Sequence, residues 1–191
     1  MTSLIVETPR LSLQPLALDD VDVALEMFTD PDVTRYVGDL MSADEIRKEF
    51  PVWMRRCAGG TIGIWCIHDR ESGDKHGTGA LLPLPVDADD TEWDLMDGGD
   101  IPDREIEVGY ILKRKAWGRG IATEVCRALT DFAFERTPLD EIVACTDIGN
   151  LASQHVLQKC GMRATGPRRA YAEDDVPGFS LSRRQWLNRR Q

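Results

Sequence analysis

The stretch EVGYILKRKAWGRGIATE, from Glu107 to Glu124, decides the fold of this chain. Its first residues alternate between apolar and polar side chains, which predicts a half-buried strand, and its last residues open a long amphipathic helix. Between them lies a basic turn that contains Gly118 and Gly120. Glycine tolerates a positive φ and lets the backbone approach a ligand closely. Because the first turn of a helix offers unpaired N–H groups, the sequence predicts that this turn binds the phosphates of an anionic ligand.

A tight turn without any ligand is the other interpretation of these glycines. The phosphate site is favoured by a strand before the turn, a helix after it and four cations around it in an acidic chain: Lys113, Arg114, Lys115 and Arg119. Thr123 stands where a dinucleotide-binding G-x-G-x-x-G motif would have its third glycine. A Rossmann-type nucleotide module is therefore disfavoured, also because one strand–turn–helix unit of this kind is evident.

Further strands and helices surround this unit. Strands are predicted over residues 11–15, 61–67, 77–82, 104–112, 141–146, 162–165 and 179–186, with a hairpin joining the second and third. Helices are predicted over 21–28, from Ser42 to the glycines at 59–60 with a kink or break at Pro51, over 121–136, and from Asn150 to Gly161. This order predicts an α+β fold with a mixed sheet of about six or seven strands flanked by about four helices.

Composition predicts a single domain over residues 1–191 and excludes several classes of protein. The formal net charge of −10 argues against a nucleic-acid partner. No secretory or membrane-spanning segment is evident, and the five cysteines form no C-x-x-C pair, so we expect a reduced, cytoplasmic protein without a membrane partner. The three histidines have no ligand-like spacing, and we expect no metal.

Two further groups of residues are candidates for chemistry. Glu107 lies on the polar side of the central strand, where it is either a solvated glutamate or a base that takes a proton from an amine. Asn150 and Ser153 lie on neighbouring positions of the first turn of their helix, where they could face the same cleft. A capped amphipathic helix ended by Gly161 is the simpler interpretation of that second segment.

Together these segments resemble the GNAT superfamily of N-acetyltransferases, and within it the branch of ribosomal-protein N-terminal acetyltransferases (Rim-type). The resemblance rests on the opening Thr8-Pro9-Arg10-Leu11, the EVGY strand, the WGRGIATE turn and the helix segment with Asn150 and Ser153. It spans nearly the whole chain in the same order. It implies a GNAT-like fold, acetyl-CoA as co-substrate without a metal, and direct transfer in a ternary complex.

The resemblance also assigns roles to residues. Glu107 is the candidate base, and Ser153 the candidate partner of the leaving thiolate, because Leu157 stands where many members carry a tyrosine. A backbone N–H near Val108 or Gly109 would polarise the thioester carbonyl. The implied cofactor-binding residues are Val108, Tyr110, Ile111, Lys115, Trp117, Gly118, Arg119, Gly120, Ile121, Ala122, Thr123 and Asn150.

The expected acceptor is a primary amine: a protein N-terminal α-amine, a polyamine or another small-molecule amine. Residues 83–103 form an acidic loop insertion, which could attract a cationic acceptor or be a solvated segment. A homodimer is compatible with the sequence. The missing tyrosine motivates the alternative of a non-catalytic acyl-CoA-binding sensor or partner-binding domain, which thiol release with a panel of amines would distinguish from an enzyme.

Overall fold

The computed structural model describes residues 3–190, in which eight strands form one sheet. The strands are β1 (Val6–Glu7), β2 (Leu11–Pro15), β3 (Gly63–Asp69), β4 (Lys75–Pro83), β5 (Ile106–Leu112), β6 (Glu141–Cys145), β7 (Arg163–Ala170) and β8 (Glu173–Ser182). The helices are α1 (Val21–Phe28), α2 (Pro31–Thr34), α3 (Ala43–Trp53), α4 (Ile121–Arg136), α5 (Leu151–Lys159) and α6 (Arg183–Asn188). The predicted α+β class and mixed sheet are confirmed.

The strands lie in the order β1-β2-β3-β4-β5-β6-β8-β7. Neighbouring strands are antiparallel except for β5 and β6, which are parallel and are connected through α4. The predicted hairpin of β3 and β4 is present. The parallel pair therefore lies in the middle of the sheet, directly after the sequence stretch that carries the glycine turn.

The larger core lies between the sheet and α4. Val125 and Leu129 of α4 are fully buried there and pack over β4. A Cβ atom at Gly79 of β4 would lie 2.7 Å from Val125 Cγ1 and 2.9 Å from Leu129 Cδ1, so glycine is needed for this approach. Trp65 of β3 meets Phe132 of α4 edge to face, with ring centroids 5.4 Å apart. The long helix is thus fixed against the strands on which the site is built.

A second core contains α1 and α3. Val23, Met27, Ile46 and Phe50 are buried together with Cys66 of β3. Ser42 and Glu45 form the predicted capping box at the start of α3. Of the predicted kink or break at Pro51, the break is wrong: α3 continues through Pro51, but it ends at Trp53 rather than at the glycines 59–60. Pro51 has no N–H to donate to the carbonyl of Arg47, and the helix ends two residues later.

Three elements differ from the sequence expectation. The two-residue strand β1 and the single-turn helix α2 are additional, and both are too short to leave a periodic pattern. The strand predicted to reach Trp186 ends at Ser182, where Ser182 and Gln185 form a capping box that opens α6. That signal is present in the sequence, but the apolar residues around it favour a strand equally well.

The acidic loop between β4 and β5 is packed against the rest of the protein. Met96 is fully buried in the larger core, beside Cys57. Arg55 donates to carboxylates of Asp94 and Asp97, with 3.4 and 3.3 Å between the charged atoms. Within residues 3–190, no helix is both long enough and apolar enough to cross a membrane.

Candidate active site

The site begins where β5 and β6 separate. The two parallel strands are in register at Glu107 and Val143; β5 then continues to Leu112 while β6 ends at Cys145. On its other edge β5 stays paired with β4 from Ile106 to Leu112. The edge of β5 beyond Glu107 is therefore open for main-chain hydrogen bonds to an extended ligand.

The glycine turn leads from this open edge into α4. Gly118 and Gly120 have φ of +71° and +75°, the left-handed region that favours glycine. Gly120 is the N-cap of α4, and no side chain caps the helix. A Cβ atom at Gly118 would meet nothing within 4 Å. The free N–H groups of the first helical turn and the open space over the glycines fit a diphosphate.

The opening of the chain holds this turn in place. Thr8 Oγ1 donates to Glu124 Oε1 at 2.6 Å, and Arg10 Nε donates to Glu124 Oε2 at 2.7 Å. Arg10 Nη1 also donates to the carbonyl of Arg119 at 3.0 Å. Burial alone would raise the pKa of Glu124, but these hydrogen bonds lower it below its usual range. The segment at residues 8–11, which the sequence links to the site through resemblance alone, thus contacts the glycine turn and the start of α4 directly.

Most of the predicted basic cluster is neutralised by acidic residues of α1 and the start of α2. Lys113 Nζ and Lys115 Nζ lie 2.5 and 3.0 Å from the carboxylate oxygens of Glu26. Arg114 pairs with Asp30 and Asp32. Among residues 3–190, Arg119 is the member of the cluster with no ion pair. Direct binding of phosphate by Lys115 stays a prediction. Its ammonium is already paired with Glu26, which would compete with a phosphate.

The other predicted cofactor-binding residues divide by where their side chains lie. Side chains of Val108 and Ile121 are buried in the larger core, and that of Ile111 packs in the core of α1 and α3. Any contact from Val108 or Ile111 to a ligand at this edge would therefore come from the main chain. Trp117 is nearly half exposed, and its Nε1 donates to the carbonyl of Leu112 at 2.9 Å, which closes the turn from beneath.

Glu107 is buried at the point where β5 and β6 separate, and the solvated interpretation of this residue is wrong. Its Oε1 accepts from the backbone N–H of Cys145 at 2.7 Å, and its Oε2 accepts from the hydroxyl of Tyr171. Burial raises the pKa of Glu107 to about 7, although the hydrogen bonds from Tyr171 and Cys145 oppose this rise. A carboxylate with a pKa near neutrality is suited to accept and release protons at physiological pH.

Ser153, in the first turn of α5, lies beside Tyr110. Tyr110 is three residues after Glu107 on β5, so its side chain lies on the opposite face of that strand. The Ser153 Oγ is 3.0 Å from the hydroxyl of Tyr110, and the backbone N–H of Ser153 donates to Asn150 Oδ1 at 3.1 Å. Asn150 is thus the N-cap of α5, as predicted. Leu157, at the position where many family members carry a tyrosine, is buried in the larger core. Tyr110 brings a phenol close to Ser153 from β5 instead.

One group of side chains outside the cleft has donor atoms close enough to share a cation. Ligand atoms of Asp20, Cys66 and His68 lie within 4.8 Å of one another, a proximity that the histidine spacing did not predict. Lys75 Nζ, however, lies 3.0 Å from Asp20 Oδ1 and already balances that carboxylate. Burial also raises the pKa of the Cys66 thiol, which disfavours the thiolate that a metal requires.

Comparison with known proteins then decides the family. A family model described as "Acetyltransferase (GNAT) domain" matches residues 10–163. The chain belongs to this family. It is accordingly an acetyl-CoA-dependent N-acetyltransferase, and the interpretation as a non-catalytic sensor loses its support.

Similar proteins include GNAT enzymes that act on different amines. The chain is 27% identical over 192 residues to the FsC-acetyl coenzyme A-N(2)-transacetylase of Aspergillus fumigatus, which covers 95% of this chain and 77% of that protein. A spermidine N-acetyltransferase from Vibrio cholerae, solved with CoA and spermine, superimposes with a TM-score of 0.71 at 16% identity, over 95% of this chain and 100% of that one. RimL, a ribosomal alpha-N-protein acetyltransferase solved with CoA, gives 0.67 at 15% identity, over 93% and 97%. At these identities the two structures establish a shared fold.

Proposed function

We propose that this chain is one catalytic domain that moves an acetyl group from acetyl-CoA directly to a primary amine in a ternary complex. The acceptor is a protein N-terminal α-amine, as in the Rim-type branch, or a cationic small-molecule amine. The observation that carries the proposal is the position of Glu107: a buried carboxylate at the point where β5 and β6 separate, on the opposite strand face from Tyr110 and Ser153.

The donor is proposed to lie along the open edge of β5 with its diphosphate on the glycine turn. The first-turn N–H groups of α4 and the Arg119 side chain would bind the diphosphate. The main chain of β5 after Glu107 would pair with the pantetheine amides. This arrangement puts the thioester near the base of the cleft, where an N–H of Val108 or Gly109 can polarise its carbonyl.

The acceptor is proposed to give up two protons in total. An amine with a pKa near that of a lysine side chain is mostly an ammonium at neutral pH. Glu107 takes one proton, directly or through one water, since each of its oxygens keeps a second lone pair. The neutral nitrogen attacks the thioester carbonyl and the carbon–sulfur bond breaks. After the attack the nitrogen loses its second proton, and the sulfur gains one proton. CoA therefore leaves as the thiol.

Ser153 is proposed to stabilise the leaving sulfur. Its hydroxyl can donate to the thiolate while its oxygen accepts from Tyr110, and chains of such hydrogen bonds strengthen one another. Burial raises the pKa of Tyr110 above its usual range. The pair therefore acts as a hydrogen-bond donor more readily than as an acid, which suits a thiolate that is itself a stable anion.

The proposal is tested by thiol release from acetyl-CoA with three classes of acceptor: peptides with free N-termini, spermidine and an aminoglycoside. We expect sustained turnover with at least one class and loss of turnover in Glu107→Gln. Glu141→Gln is the matched control, because Glu141 is exposed at the start of β6. Wild-type rates in Glu107→Gln, or equal losses in both variants, would remove the base from the mechanism.

The donor site has its own variant and control. Gly120→Glu places a carboxylate at a left-handed position over the predicted diphosphate site, and we expect the Kd for CoA to rise at least about tenfold. Gly73→Glu introduces the same side chain at a φ of +76° in the β3–β4 turn, where a Cβ atom would meet nothing within 4 Å. An unchanged Kd in Gly120→Glu would place the diphosphate elsewhere.

A further inference from the structure

The hairpin that joins β7 and β8 has an unusual tip. Ala170 pairs with Glu173, and the two residues between them, Tyr171 and Ala172, have φ of +56° and +58°. Two successive positive φ values define the type I′ turn, for which asparagine and glycine are strongly preferred. Bulky residues persist in such conformations where surrounding contacts hold them, and they cluster at functional sites.

Contacts to two other parts of the chain hold this tip. The backbone N–H groups of Tyr171 and Ala172 donate to the carbonyls of Pro85 and Val86, at 3.0 and 3.1 Å. The Tyr171 hydroxyl donates to Glu107 Oε2. The start of the acidic loop therefore holds the hairpin tip in place. In this position the Tyr171 phenol points at the buried carboxylate of Glu107.

The groups around Glu107 make this phenol important. Among residues 3–190, Tyr171 provides the side-chain hydrogen bond to Glu107, and Cys145 provides the backbone one. Arg168 of β7 is the nearby cation, but it is paired with Glu105. Burial raises the pKa of the Cys145 thiol to about 12, so this group stays neutral. Little else favours the charged form of Glu107.

We propose that Tyr171 is a positioning residue for Glu107: the phenol, directed by the left-handed turn, holds the carboxylate in one orientation and stabilises its charged form. The inference rests on the proposed function, in which Glu107 is the base. Burial disfavours the carboxylate, whereas a hydrogen bond donated to it favours it. Without the phenol, a larger fraction of Glu107 would already carry a proton at neutral pH and could not accept another.

The test compares Tyr171→Phe with the wild type over a range of pH. We expect the acidic limb of the kcat/KM profile to move upward by about one pH unit, with a loss of about fivefold at pH 7 that approaches about tenfold at lower pH and recovers at higher pH. Rates are measured with acetyl-CoA and the fastest acceptor among spermidine, an aminoglycoside and a free N-terminal peptide. Ala172→Gly is the matched control: it relaxes the same turn without touching Glu107, and should keep the wild-type profile.

A second readout does not depend on turnover. Infrared titration of protein labelled with ¹³C-glutamate follows the protonated carbonyl of Glu107, identified by its loss in Glu107→Gln. In Tyr171→Phe this titration should move upward with the rate profile. An unmoved titration, or a loss of rate that is equal at every pH, overturns the inference. If the titration of Glu107 moves but neither the wild type nor Tyr171→Phe acetylates any of the amines, the positioning role stands and the proposed function fails.

Discussion

Replacing Glu107 by glutamine should remove a pH dependence from the free energy of unfolding. The pKa of Glu107 rises from its ordinary value of 4.5 to about 7 on folding, and the largest cause is burial. Between these two values the folded protein binds more protons than the unfolded chain, so the stability of the wild type falls as pH rises. The contribution is complete below pH 4.5 and is lost above about pH 7.

The size of the effect follows from the same values. A difference of about 2.5 pH units at about 1.36 kcal/mol per unit corresponds to about 3 kcal/mol in total. About 2.5 kcal/mol of this falls between pH 5 and pH 8. Glutamine has the same shape, keeps an oxygen for the N–H of Cys145, and can donate its amide to the oxygen of Tyr171. The variant therefore changes the titration while it preserves both contacts.

Urea unfolding at several pH values measures the prediction. The free energy of unfolding of Glu107→Gln minus that of the wild type should grow by about 2.5 kcal/mol from pH 5 to pH 8. Other titrating groups cancel in this difference. Glu141→Gln, at an exposed site, should show a difference that is independent of pH. A constant difference for Glu107→Gln would mean that this carboxyl titrates near its ordinary value, and the argument from burial would be refuted.

Three further variants test the turn, the leaving group and the hairpin. Arg10→Leu removes the contacts to Glu124 and to the carbonyl of Arg119, and should raise the Kd for CoA about tenfold by calorimetry; an unchanged Kd would show that the turn needs no support. Ser153→Ala should lower kcat about tenfold with little change in the KM for acetyl-CoA, and a raised KM with an unchanged kcat would argue for a binding role instead. Ala172→Gly should raise the free energy of unfolding by about 1 kcal/mol in urea, since glycine fits a φ of +58°; a loss of stability would contradict the strain at the tip.

The central part of the fold could be predicted because its signals are local. The alternation from Glu107 to Leu112 reports a strand, the glycines report a left-handed turn, and α4 ends at Arg136 as expected. Asn150 caps α5 for the same reason. Each of these signals depends on neighbours within one turn or one strand, and such interactions are determined by the sequence alone.

The residues that surround the predicted site could not be predicted from local sequence patterns, because they are far apart in the sequence. Tyr171 is 64 residues from Glu107, and it reaches the carboxylate through a turn that contains no glycine or asparagine. No local pattern marks such a turn. Glu26 lies 87 residues from Lys113, which it neutralises. A charge cluster in the sequence shows which ions are present, but the fold decides which of them remain unpaired.

The pairing of charges changes the explanation of anion binding at the turn. Three of the four predicted cations are paired with carboxylates, and each pair of opposite charges exerts a weaker field than a free cation would. The groups that remain to attract an anion are the free N–H groups at the start of α4, the positive end of its dipole and Arg119. The first two act only over a short range. Hydrogen bonds from main-chain donors depend steeply on distance and direction, so this site would select a diphosphate by its shape rather than by its charge. We therefore expect the contact from Arg10 to the Arg119 carbonyl, which holds the turn, to affect diphosphate binding as Gly118 and Gly120 do.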